Sequence, residues 1–160
     1  MTSAQQIESQ TNTLKTTEWD LLKMNFQGEL NGLYYRKKKL INFFDLLYNM
    51  DAFFPAKMQL LKAGAKLTTQ IRLLERLSGL ADEDIQLGQS PGMDMNLMET
   101  FISKLMKNDV NKSYLALIVY LKTIEKNDID AVTKLGHLAT ILNYRNFLVF
   151  LNQASLIFRY

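Results

Sequence analysis

His137 is the only histidine in the chain, and cysteine is absent. Cys-His pairs, cysteine-based zinc sites, multi-histidine metal sites and disulfides are therefore unavailable within one molecule. His137 stands beside Leu138 in a mostly apolar helical pattern and is read as a structural residue with one ring nitrogen satisfied. The carboxylates fare no better as a site. Asp82, Glu83 and Asp84 cluster ahead of Gln86 and Gly88, but a calcium loop counted from Asp82 needs glycine at its sixth position and glutamate at its twelfth. The chain has Leu87 and Met93 there. Gly28 and Gly32 sit inside a helical pattern, and neither Gly88 nor Gly92 leads into Lys followed by Ser or Thr, so no phosphate cradle is formed. Asp128 and Asp130 read as helix starts, not as an acid and base pair. The sequence implies no enzyme, no catalytic residue, no cofactor and no metal.

Two basic features remain. Arg36, Lys37, Lys38 and Lys39 are consecutive and fan around most of a helix at about 100° per residue. Because Leu33 and Leu40 belong to a buried stripe, Arg36 or Lys37 must lie close to it. Its stem then covers apolar surface while the charge escapes to water, or it meets a carboxylate of another helix. Lys62, Lys66, Arg72 and Arg76 instead project within an arc of roughly 120° that holds no acidic side chain. Such an arc is a solvated face or a contact surface for phosphates or an acidic protein, and it lacks interleaved aromatic rings to stack on bases. Met93, Met95 and Met98, with Phe53 and Phe54 beside Pro55, are candidate docking residues. Thioethers fill core gaps or make adaptable surfaces, and a turn at a bundle end can leave one ring exposed.

The elements that must position these residues are helices. Trp19, Phe26, Leu33, Leu40 and Leu47 recur every seventh residue, with Leu22, Leu30, Phe43, Phe44 and Met50 between them, which predicts a helix over residues 17–50. Thr17 and Asp20 form an imperfect capping box at its start. Residues 51–55 form a turn, and Pro55 opens a second helix carrying Leu60, Gly64, Leu67, Ile71 and Leu74. Two long seams joined by a short connection predict an antiparallel hairpin. Gly79, Gly88, Pro91 and Gly92 then mark a connector whose surroundings hold Asp82, Glu83, Asp84, Asp94 and Glu99 and no basic residue from 81 to 100. Beyond it, helices start at Asp94, at Asp109 or Asn111, and at Asp128 or Asp130. Residues 147–158 are apolar nearly all round, so that helix should be enclosed. No stretch alternates as a strand does.

The sequence thus predicts an all-α helical bundle. Residues 1–16 form a disordered lead, 17–78 the hairpin, 79–93 the acidic connector and 94–160 three to four shorter helices, folding as one cooperative domain. The net charge of +3 suits nucleic acid or an anionic surface without requiring either. No apolar stretch reaches the roughly 20 residues of a membrane span, and the lack of cysteine suits the cytoplasm. The function expected by exclusion is protein–protein interaction, as an adaptor, inhibitor, immunity factor or assembly subunit. The partner would be another protein or a second copy of the chain. The alternative is a nucleic-acid-associated accessory protein using the basic face of the second helix.

Overall fold

The computed structural model describes residues 3–81, 87 and 110–159. Among these the regular structure is entirely helical. Helix α1 runs Ser3–Tyr48, a 3₁₀ turn occupies Asp51–Ala56, and α2 runs Lys57–Ser78. Helices α3 (Val110–Ile141) and α4 (Arg145–Ala154) follow, and a second 3₁₀ turn occupies Ser155–Phe158. The helix expected from Asp94 lies outside the described residues. No described helix is long and apolar enough to cross a membrane.

Helix α1 begins at Ser3 and not near Thr17, so the expected disordered lead gives way to helix. Residues 3–16 contain neither Gly nor Pro, and without a breaker the helix can propagate upstream of the Thr17 cap. The seven-residue stripe is buried at Phe26, Leu33, Leu40 and Leu47, whereas Trp19 is 41% exposed and lies outside the core. Two apolar clusters make up that core. The first joins Phe26, Leu30 and Leu33 of α1 to Leu74 and Leu77 of α2, Leu135 of α3 and Phe147 of α4. The second joins Phe43, Phe44 and Leu47 of α1 to Leu60 and Leu67 of α2 and Leu117 and Tyr120 of α3. Chain order through the clusters makes α2 and α3 both antiparallel to α1. Both pack closely on α1 while their own backbones stay further apart, and the space between them is bridged near one end by the first 3₁₀ turn and near the other by α4 with the second 3₁₀ turn.

Helix α3 corrects one expectation. It is continuous through Asp128 and Asp130, neither of which starts a helix. Residues 122–130 hold no Gly or Pro, and Asp128 satisfies its carboxylate across the bundle instead of capping its own backbone. The helix ends at Asn143, which adopts φ 60°. The Tyr144 N–H donates to the Ala139 carbonyl at 2.9 Å and the Asn143 N–H to Thr140 at 3.2 Å, the paired bonds of a Schellman terminus. Residues 130–158 therefore contain a break between two helices. Helix α4 buries Phe147, Leu151 and Ala154, but Val149 and Leu156 are exposed, so the C-terminal stretch is enclosed on one face and not all round.

Candidate protein-binding surface

Among the described residues three polar side chains are buried with the core: Lys37 on α1, Gln70 on α2 and Asp128 on α3. Each falls between the stretches of its helix that build the two apolar clusters, so together they form a polar layer across the bundle. The Lys37 ammonium donates to the Asp128 carboxylate in a closed ion pair. The Phe158 ring lies 5.8 Å from that ammonium, and the Gln70 side-chain N–H donates to the Ile157 carbonyl at 2.8 Å. The C-terminal 3₁₀ turn thus seals the layer. Burial pushes the Lys37 ammonium down to about 8 against the attraction of Asp128. The same burial raises Asp128 above the usual carboxylate range, opposed by Lys37 and then Arg36. Neither the groove between α1 and α2 nor that between α2 and α3 is lined by Lys37 or Asp128, and the pair joins α1 to α3.

Among the described residues, one surface that departs from ordinary solvation is on the outward side of the hairpin. Phe53 and Phe54 sit in the turn that reverses the chain, and because neighbouring residues of such a turn point apart, Phe53 is fully buried while Phe54 is 72% exposed. Met58 and Leu61, one and two turns further along α2, are 60% and 53% exposed, so three large apolar side chains share one helical row. The Lys57 ammonium lies 5.3 Å from the Phe54 ring and 4.9 Å from that of Tyr48, which holds the ring edge of the row in place. Beside the row runs a shallow groove of about 390 Å³ between α1 and α2, lined by Ile41, Phe44, Tyr48, Leu61, Gly64 and Ala65 among others. Gly64 has nothing within 4 Å of where a Cβ would stand. An apolar side chain or a second helix can approach α2 closely there.

The basic arc of α2 is divided. The Lys66 ammonium donates to the Arg159 carbonyl at 2.9 Å, and the Arg76 guanidinium stacks 4.6 Å from the Phe150 ring. Both therefore help to hold the C-terminal elements on α2. Lys62 and Arg72 are exposed. The run from Arg36 to Lys39 is divided as well. Lys37 is buried, Lys38 and Lys39 lie over Tyr34 and Tyr35 at 5.9 and 5.3 Å, and the Arg36 Nε is buried with no hydrogen-bond partner among the described residues. His137 is exposed, on the side of α3 away from the buried Leu135 and Leu138. Met93, Met95 and Met98 lie outside the described residues. Among those described, no group of three His, Asp or Glu is placed to hold a metal ion.

Asp128 and Gln70 escaped the sequence reading, although a signal was present. Ile124, Asp128, Ala131 and Leu135 follow spacings of four, three and four, and so do Leu33, Lys37 and Leu40 at four and three. A charge on each of two buried seams in a bundle is the signature of an internal ion pair. No protein-family model matches the chain, and neither a curated protein nor a solved structure does.

Proposed function

We propose that this chain is a non-enzymatic protein-binding module whose contact surface is the outward face of the hairpin at Phe54, Met58 and Leu61. The observation that carries the reading is the row itself. Scattered exposed hydrophobes are ordinary on a folded protein, but three large ones on successive turns beside an open apolar groove make a contiguous patch of the kind partners cover. A helix-in-groove contact fits this shape, with Gly64 and Ala65 allowing close approach. Nucleic-acid binding is the weaker reading, since two of the four cations of the basic arc already hold the chain's own C-terminal elements.

The test places a photo-crosslinking residue at Met58 in cells of the native host, with a second probe at exposed Arg72 as the reference. A discrete adduct from position 58 that vanishes when Phe54 and Leu61 are changed to Glu is the expected result. Adducts of equal yield from positions 58 and 72, or none from 58, refute it. An adduct of twice the chain mass identifies a second copy as the partner.

A further inference from the structure

A second groove lies between α2 and α3, in the space between the first 3₁₀ turn and the C-terminal one. Its floor is apolar, with Ala63 of α2 and Ile118 and Leu121 of α3. Its rim carries three ammonium groups, Lys62 and Lys66 from α2 and Lys122 from α3, against one carboxylate, Glu125. Lys62 and Lys122 make no ion pair or hydrogen bond among the described residues, while Lys66 spends one of its three N–H groups on Arg159. Gln59 lines the same groove. Its side-chain amide donates to the Tyr114 hydroxyl at 3.2 Å, and its carbonyl oxygen is buried with no hydrogen-bond partner among the described residues.

We infer that this groove takes an acidic amphipathic helix of a partner protein, whose apolar side chains enter between α2 and α3 while its carboxylates meet Lys62, Lys66 and Lys122. The volume, about 290 Å³, lies at or below the lower end of small-molecule pockets and suits a few inserted side chains better than a whole cofactor. From Gln59 to Lys66 the groove spans two helical turns, roughly 10 Å, the length over which a helix offers apolar residues at i, i+4 and i+7. The same cleft already accepts a helix further along, where α4 lies between α2 and α3. Charge complementarity selects the acidic partner, since a basic or neutral helix would leave three cations at the rim with only the Glu125 carboxylate to offset them. A nucleic acid would neutralise the rim and leave the apolar floor unfilled, and no ring lines the groove for a base to stack on. The assignment rests on the reading of the chain as a protein-binding module but uses a different surface from the Phe54 row.

The experiment titrates the full chain with a fluorescein-labelled helical peptide bearing leucines at i and i+4 on one face and glutamates flanking them, read by fluorescence anisotropy. The expected results are saturable binding and a loss of at least about tenfold when the glutamates are replaced by lysines. A similar loss is expected in Lys62→Glu/Lys66→Glu/Lys122→Glu, and also in Lys62→Glu/Lys122→Glu. The latter keeps the Lys66 contact with the Arg159 carbonyl, and its circular dichroism should match the parent because both side chains are on the surface. Lack of binding, equal binding of the lysine peptide, or unaltered binding to the triple variant overturns the assignment. Decanoate or a single-stranded oligonucleotide that binds the chain more tightly than the acidic peptide, and loses that binding in the triple variant, overturns it in favour of an anionic amphiphile or a nucleic acid. Phe54→Glu/Met58→Glu/Leu61→Glu separates the two surfaces. If that variant alone loses the peptide, the groove assignment fails and the outward row stands. If only the lysine variant loses it while position 58 captures nothing in cells, the row fails and the groove stands.

Discussion

Replacing Lys37 by Met should destabilise the chain far more than removing a surface charge would, and replacing Lys37 and Asp128 together should not. Both side chains are essentially without solvent, at 0% and 2% exposure, and they meet in a closed ion pair. Removing Lys37 leaves the buried Asp128 carboxylate without its hydrogen-bonded counter-ion, with only the weaker attraction of Arg36 in its place, which costs about 3–5 kcal/mol. The pair as a whole is nevertheless a poor stabiliser. Burial overrides the attraction of Asp128 and brings the Lys37 ammonium from 10.5 to about 8, a cost on the order of 3 kcal/mol for keeping it charged inside. Lys37→Met/Asp128→Leu should therefore match the parent or exceed it by about 1–4 kcal/mol. Urea unfolding followed by circular dichroism gives all four corners of the double-mutant cycle. Titration adds a signed check. Between about pH 8 and 10.5 the unfolded chain keeps the Lys37 proton that the folded chain has released. Parent stability, measured against the double variant, should thus rise with pH across that window. At acid pH the folded Asp128, with its pKa raised above 3.8, takes up its proton before the unfolded one does, so this group favours folding as pH falls. A cost below about 1 kcal/mol for Lys37→Met, the range of exposed pairs, would refute the closed polar layer. Single costs that simply add in the double variant would refute it equally.

Other outcomes follow from the packing. Phe26→Ala should cost about 3–5 kcal/mol in urea unfolding, because its ring meets Tyr144 and Phe147 edge-on at 5.1 and 4.9 Å in the first core, whereas Trp19→Ala should fall within about 1 kcal/mol. Asn143→Gly should leave the thermal midpoint unchanged or raise it, and Asn143→Val should lower stability by about 1–2 kcal/mol, since a β-branched residue resists φ 60°. Phe54→Glu/Met58→Glu/Leu61→Glu should leave unfolding within about 1 kcal/mol of the parent, because these side chains contribute exposed area and not core; a larger loss would mean that the row supports the fold.

Much of this architecture was legible in the order of residues. The seven-residue stripe of α1, the alternating spacings of α2 and the want of any strand period determine long helices with one buried side each, and a short turn with Pro55 leaves the first two only an antiparallel arrangement. Helix type is a local matter, written in neighbours three and four residues apart. The sequence also placed a cation of the run from Arg36 to Lys39 on the buried stripe and left two ends for it, water or a carboxylate of another helix. Only the tertiary structure decided between them, because the carboxylate is Asp128, 91 residues away. That contact depends on how three helices align along their lengths. The same alignment explains why Asp128 lies within an unbroken helix when local propensity offered it as a cap, since a carboxylate at a helix start gains only its own backbone N–H groups. Trp19 shows the reverse case. It has the right spacing to be core, but neither described cluster includes it, and 41% of it stays exposed. Periodicity determines which face of a helix is apolar, and only the neighbouring helices determine how much of that face is covered.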